Sequence, residues 1–260
     1  MKRILKYTLL SIFLTTNIAI GQVSEIKEKV DIQAELDNEK SGSSSSKSSR
    51  SSGTTVGESI IAEFFAEILY GIGYVTVLAV DAGQEHTLDQ KHLHPEYVSL
   101  EINTPLAYGF PNDYFLTQPK IQGNWGIFAS EFRYSYLKDN TGDLATLDWQ
   151  ILKVKLPIKG FQPFFGIGFS YLFSPEETYF EYSTGFDWRM SQQKVNWSCV
   201  YRRATDNDAT FRQELEMKVD YLVYKKDNFH IYPQIGVNYQ NYFETIDVTS
   251  FNLGMTFRFQ

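Results

Sequence analysis

Residues 161–190, FQPFFGIGFSYLFSPEETYFEYSTGFDWRM, decide the fold class, because large apolar side chains recur in them at every second position. They occupy odd positions from Phe161 to Phe173 and even positions from Phe180 to Trp188. A period of two is typical of β-strands whose two faces meet different surroundings. The stretch therefore predicts two consecutive strands, each with an apolar face and a face of polar, charged or small residues.

The same alternation runs through most of the chain beyond residue 95. Several runs keep it for more than ten residues, whereas a soluble strand usually has about five or six and a tilted bilayer crossing takes about 9 to 11. A soluble sandwich and a membrane barrel share this periodicity, and strand length favours the barrel. The candidate strands are residues 96–108, 123–138, 143–158, 161–174, 177–191, 195–205, 210–225, 229–243 and 247–260.

A bacterial barrel with both ends in the periplasm needs an even number of strands. We expect a tenth strand at residues 70–81, which are rich in β-branched side chains, and eight strands is the alternative. Residues 110–122 then form a long periplasmic connection. The turns near 159–160, 191–193 and 225–228 lie on the periplasmic side, and those near 138–143, 204–209 and 243–249 lie outside.

The N-terminus has the composition of a secretory signal peptide, with Lys2, Arg3 and Lys6 before an apolar stretch and small residues near position 21. The mature chain would begin at Gln22; a short N-terminal membrane anchor is the alternative. Residues 22–57 are expected to form a flexible periplasmic tail with a Ser-rich linker, residues 58–69 a short amphipathic helix, and residues 70–260 the barrel. Within the tail, residues 23–40 carry a weak amphipathic pattern around Ile26, Val30 and Leu36 that is either a solvated helix or no regular structure.

The composition excludes several classes of protein. Of 260 residues, 16% are aromatic and 21% charged, and the single Cys199 rules out an internal disulfide framework. Loss of residues 1–21 removes three bases and no acid, so the net charge of −7 becomes more negative. Nucleic acid is therefore not expected as a partner.

The last strand carries apolar side chains at alternate positions: Phe251, Leu253, Met255, Phe257 and Phe259. In this it resembles bacterial outer-membrane β-barrel proteins, and more loosely the small uncharacterised barrels of Bacteroidetes-like bacteria that begin with a signal and a serine-rich spacer. The resemblance implies recognition of strand 247–260 by the barrel-assembly machinery. The family pattern commonly ends on the aromatic residue, and Gln260 departs from it.

If the apolar positions of each strand face outward, the positions between them face inward. These inward positions carry acids and bases in nearly equal number. A barrel of about eight to ten strands is just wide enough for its side chains to fill it, so these groups are expected to pair across the lumen and leave no wide pore. The expected network is Glu131, Arg133, Glu181, Asp187, Arg189, Arg212, Glu214, Glu216, Lys218 and Arg258, with Glu101, Arg202 and Asp220 on the same face.

The sequence contains none of the common nucleotide-binding, zinc-protease or serine-hydrolase motifs. Its densest polar cluster is the predicted loop 81–96, with His86, Asp89, His92 and His94. These side chains could meet at a metal or supply a general base, but their spacing matches no known site, and a solvated loop is the simpler interpretation. No cofactor, metal site or catalytic residue is therefore assigned.

These observations predict an integral outer-membrane β-barrel with a structural or partner-binding role in the cell envelope. Its expected partners are outer-membrane lipid, the assembly machinery and a possible periplasmic partner of the tail. A rim enzyme acting on lipid or peptide through the histidine-bearing loop is one alternative, and a narrow channel or transporter is the other.

Overall fold

The computed structural model describes residues 22–42, 98–109, 113–156, 160–190, 194–206 and 209–260, with side chains from 22 to 35 in the first range. The elements in these ranges are α1 (Gln22–Gly42), β1 (Val98–Gly109), β2 (Tyr114–Thr117), β3 (Lys120–Trp125), β4 (Phe128–Lys138), β5 (Asp143–Lys155), β6 (Phe161–Phe173), β7 (Glu176–Met190), β8 (Val195–Thr205), β9 (Thr210–Tyr221), β10 (Tyr224–Lys226), β11 (Phe229–Tyr242) and β12 (Ile246–Phe259).

The β-segments form one closed antiparallel barrel of ten strands. β2 and β3 follow one another along the same two neighbours, β1 and β4, and together make one strand of the barrel. β10 continues β9 along β11. The ring closes where β1 pairs with β12, from Leu100 opposite Phe259 to Gly109 opposite Ser250. The prediction of an all-β, closed antiparallel barrel with ten strands is confirmed.

One strand of the ring comes from a segment that we expected to be a loop. Residues 110–122 contain β2 and part of β3, and the expected strand 123–138 is divided by a turn at Gly126, whose φ is +63°. The alternation is hidden in β2 because Tyr114 and Leu116 point inward and are apolar, as is the outward Phe115. Residues 70–81 lie outside the described residues, and both edges of β1 are paired without them.

The barrel has two distinguishable ends. The capped end carries the turns at 139–142, 174–175 and 243–245 and is covered by α1. The terminal end carries the turns at 126–127 and 227–228 together with the first and last residues of the barrel. At this end the Gln260 amide donates to the carbonyl of Asn228 at 2.9 Å. The described turns of the two predicted groups thus lie at opposite ends.

Residues 22–42 form a helix, which is one of the two interpretations left open for the amphipathic part of the expected tail. The side chains of Val23, Ile26 and Val30 lie on one face of α1 and are buried against the capped end. Burial of this face stabilises a helix whose sequence is otherwise polar. None of the described helical residues forms a helix long and apolar enough to cross a membrane. The predicted helix 58–69 and the signal segment 1–21 lie outside the described residues.

Candidate functional site

The outer wall of the barrel is apolar around its whole circumference. Leu253, on β12, is 66% exposed and Ile235, on β11, is 61% exposed. Every tryptophan of the chain also points outward: Trp125, Trp149, Trp188 and Trp197 are each close to half exposed. A soluble protein rarely leaves so much contiguous apolar surface in water.

The lumen is filled by ion pairs, the strongest of which joins opposite walls. Arg133 on β4 donates from both terminal nitrogens to the carboxylate of Glu214 on β9, at 2.6 and 2.8 Å. The same guanidinium donates from Nε to Asp148 on β5 at 2.9 Å. A two-bond Arg–carboxylate pair is short, directional and strong. It ties strands that lie on opposite sides of the ring.

Asp148 links this pair to a second arginine. Arg212 donates to Asp148 and to Glu181, each at 2.8 Å, and to the hydroxyl of Thr146 at 3.0 Å. Glu181 in turn accepts from the side-chain amide of Gln150 at 2.6 Å. Two arginines and three carboxylates therefore form one connected layer near the middle of the lumen.

A second ionic layer lies closer to the terminal end. Arg202 donates to Glu131 at 2.5 Å and to Glu216 at 3.3 Å. Glu131 also accepts from Lys153 at 2.9 Å, and Glu216 accepts from Lys120 at 3.3 Å. Each carboxylate is thus shared by two bases, which satisfies charges that would be costly to bury alone.

The mouth at the terminal end is also charged. Arg258 donates to Glu101 at 2.8 Å, and Lys218 lies 3.9 Å from both Glu101 and Asp220. The remaining members of the predicted network, Asp187 and Arg189, line the same small cavity, whose volume is about 30 Å³. That volume holds about two water molecules.

The structure brings the predicted inward-facing charges together, and it adds four that the sequence did not reveal: Lys120, Asp148, Lys153 and Lys155. The register of β5 shifts between Gln150 and Leu152 on the side of β6, and one residue of β5 bulges out. The extra residue of a bulge exchanges the positions that face inward and outward along the rest of the strand. Even-numbered Asp148, before the bulge, and odd-numbered Lys153, after it, therefore both point inward. Lys120 was missed because β3 begins inside the expected loop.

The capped end of the lumen is apolar instead of charged. The rings of Tyr179 and Phe211 stack there with their centroids 4.2 Å apart, and Tyr242 meets Phe211 edge to face. The inward side chains that complete this apolar cup are Ala107, Tyr114, Leu116, Leu137, Leu144, Leu172, Ala204, Ile246 and Val248. Val23, Ile26 and Val30 of α1 fill it, at 0 to 1% exposure.

Polar groups at the rim fix the first turn of α1. The carboxylate of Asp139 accepts from the Val23 amide at 3.0 Å, and the Thr141 hydroxyl accepts from the Ser24 amide at 3.3 Å. The side chain of Gln22 donates to the carbonyl of Asp247 at 2.6 Å. The first amides of a helix have no partner within it, and here two of them donate to side chains of the barrel.

The environment of Asp139 changes its acidity. Burial alone would raise the pKa of its carboxyl group, but hydrogen bonds from the Thr141 hydroxyl and from the amides of Val23, Thr141 and Gly142 outweigh burial. They hold the pKa of Asp139 below its ordinary value. The carboxylate is therefore ionised, and able to accept these bonds, throughout the neutral range.

The predicted histidine-bearing loop is not among the residues that the structure describes. His86, Asp89, His92 and His94 lie outside the described residues. Within the described ranges, no group of three or more His, Cys, Asp or Glu side chains could hold a metal ion. The buried carboxylates of the lumen are occupied by arginine and lysine, so their arrangement serves to hold strands together.

No protein-family model matches the chain, and no curated protein matches it. Among solved structures, it is similar to the KdgM porin, with 10% identity and a TM-score of 0.32 over 63% of this chain and 100% of that one. It is also similar to the N-terminal β-barrel domain of Pseudomonas aeruginosa OprF, with 16% identity and a TM-score of 0.31 over 62% and 97%. These likenesses are too distant to bear on function.

Proposed function

We propose that this chain is an integral outer-membrane β-barrel with a structural or partner-binding role in the cell envelope. One observation carries the proposal: the wall is apolar on the outside and ionic on the inside, the reverse of a soluble domain. Inward Arg133 and Glu181 are at most 1% exposed, whereas outward Phe165 is 52% exposed.

A bilayer explains this inversion physically. In hydrocarbon every backbone amide and carbonyl must be satisfied within the protein, and a closed barrel achieves this because it has no free edge. The outward side chains would be solvated by acyl chains, and the charged groups would be shielded inside the ring. Outer-membrane lipid is therefore the partner that the outer wall fits.

The lumen favours a structural role over transport. Arg133, Glu214 and Asp148 bridge opposite walls, and a solute could pass only if their buried ion pairs were broken. Breaking such a pair by removal of one member typically costs about 3–5 kcal/mol. A conducting pore needs a water-filled lumen, and the ionic layers take up that space. The described residues offer no observation that favours a rim enzyme.

The last strand fits recognition during assembly. β12 presents Phe251, Leu253, Met255 and Phe259 outward, all more than 40% exposed. β12 is also the strand that closes the ring against β1. Before the ring closes, the edge of β12 that later pairs with β1 is free. We infer that the barrel-assembly machinery binds β12 at this stage.

The proposal is tested by membrane fractionation together with gel migration. A barrel that spans the membrane stays in the membrane fraction after a high-salt wash and migrates differently in detergent before and after boiling. Release into the soluble fraction together with identical migration would overturn the proposal. Planar-bilayer recordings of the purified barrel should show no discrete conductance steps; regular steps would replace the structural role by a channel.

A further inference from the structure

We propose that α1 covers the mouth of the barrel at the capped end as a lid, and that this end lies on the opposite side of the membrane from the two chain ends of the barrel. The proposal rests on the proposed function, because the two ends lie on different sides only if the barrel spans a membrane. It replaces the expected periplasmic tail for residues 22–35.

The contacts of α1 place it at the capped end. Its first turn binds Asp139 and Thr141, in the turn between β4 and β5, and the carbonyl of Asp247, at the start of β12. Lys29, one turn further along α1, donates to the hydroxyl of Thr245. The helix is thus held by two turns of the same end, on different sides of the mouth.

The chain ends of the barrel lie at the other end. Val98 pairs with Trp125 beside the turn at 126–127, and the Gln260 amide donates to Asn228 in the turn at 227–228. β4 joins the two ends with 11 residues. At about 3.3 Å per residue and a tilt of about 40°, it spans about 28 Å, close to the hydrocarbon thickness that an outer-membrane barrel crosses.

The interior of the barrel separates the two ends. Between the apolar cup and Val98 lie the layer around Arg133 and the layer around Arg202, whose members are buried and ion-paired. A helix seated in the cup therefore has no contact with the terminal end through the lumen.

Docking of α1 buries apolar side chains at the capped end. Without the helix, inward Phe211, Tyr242 and Leu137 would face water at the mouth, although all three are at most 2% exposed with the helix in place. The opposite face of α1 is exposed and acidic, with Glu25, Glu28 and Asp31. One face of α1 thus matches the apolar cup and the other matches water, as a lid requires.

The test uses impermeant maleimide labelling of single cysteines in a Cys199→Ser background on intact cells. Glu28→Cys reports the exposed face of α1, Asn140→Cys reports the capped end and Lys225→Cys reports the terminal end; all three residues are exposed. We expect Glu28→Cys and Asn140→Cys to be labelled on intact cells, and Lys225→Cys to be labelled only after the outer membrane is opened.

The pattern of labelling separates the two ways of failing. If Asn140→Cys and Lys225→Cys differ but Glu28→Cys follows Lys225→Cys, the side assigned to α1 is wrong and the barrel proposal stands. If Asn140→Cys and Lys225→Cys are labelled alike on intact cells, the barrel does not span the membrane, and the position of α1 falls with it.

Cross-linking tests the seat of the helix in the same background. The Ser24 amide lies 3.3 Å from the Thr141 hydroxyl, so a short bifunctional thiol reagent should join Ser24→Cys to Thr141→Cys in isolated membranes. The matched pair Ser24→Cys with Lys225→Cys, at opposite ends of the barrel, should give no product. Cross-linking of the second pair but not of the first would overturn the docked position.

Discussion

Arg133 on β4 and Glu214 on β9 stand on opposite walls of the barrel, and their side chains meet across the lumen through two hydrogen bonds of 2.6 and 2.8 Å. Both residues are buried, at 1% exposure. This pair holds the two walls together, because burial makes the loss of either partner costly. Other ion pairs of the lumen branch from it through Asp148.

Replacement of Arg133 by Met should destabilise the barrel strongly. The substitution leaves Glu214 and Asp148 buried with one base fewer, and an unpaired buried charge typically costs about 3–5 kcal/mol. Lys138→Met is the matched control, since Lys138 is exposed on the same strand. Unfolding in urea, followed by gel migration, measures both variants. Equal midpoints for the two would contradict a stabilising role for the ionic layer.

A second prediction concerns Gly168, which lies beside the bulge of β5. A Cβ atom there would lie 1.9 Å from the carbonyl oxygen of Trp149 and 2.7 Å from the Cα of Gln150. Both are backbone atoms, so Gly168→Ala should shift the bulge and cost about 1–3 kcal/mol of folding free energy. Gly123→Ala, which meets only the Trp125 ring, should be tolerated. Similar unfolding midpoints for the two variants would speak against the bulge geometry.

Ile26 is the centre of the apolar face of α1 and is 0% exposed. Ile26→Asp should release α1 from the cup, because it removes about 1.5–3 kcal/mol of apolar burial and would bury a charge. Limited proteolysis should then cut within α1 while the barrel keeps its heat-dependent migration. Ile32→Asp is the control, since Ile32 is 49% exposed. Equal protection in both variants would mean that the cup does not hold the helix.

The seat of α1 should weaken in acid. Because the pKa of Asp139 is lowered in the folded protein from its ordinary 3.8, its contribution to docking is complete above that value and is lost as pH falls through the lowered pKa. Proteolysis of α1 by an acid-active protease should therefore accelerate below about pH 4. Asp139→Asn should reduce this pH dependence. An unchanged profile in the variant would exclude Asp139 as the controlling group.

Much of the barrel could be predicted from the sequence because its wall follows a simple rule. In β6 and β7 most outward positions are apolar and most inward positions are polar or small, apart from the inward Phe164, Leu172 and Tyr179, so period two reveals both the strands and the direction in which their side chains point. Arg133, Glu181 and Glu214 were assigned to the lumen on this basis, and all are buried there. The rule holds where outside and inside differ in polarity.

The rule fails where the inward and outward side chains have the same polarity, or where a bulge exchanges the two faces of a strand. In β2 the inward Tyr114 and Leu116 are apolar because the cup receives a helix, and this contact is between residues distant in sequence. In β5 a bulge turns Lys153 inward, and no local residue pattern announces it. The docking of α1 was missed for the same reason, because the weak amphipathic pattern around Ile26 and Val30 fits a solvated helix and does not identify the surface that the helix contacts.

Tryptophan fluorescence tests the central claim most directly, since Trp125, Trp149, Trp188 and Trp197 all point outward and the chain has 4 tryptophans in total. The barrel is reconstituted into vesicles whose acyl chains carry bromine, and its emission is compared with that in unbrominated lipid. Strong quenching by the brominated chains, with weak quenching by aqueous iodide, is the expected result. Emission that iodide quenches fully and brominated chains leave unchanged would contradict a lipid-facing wall.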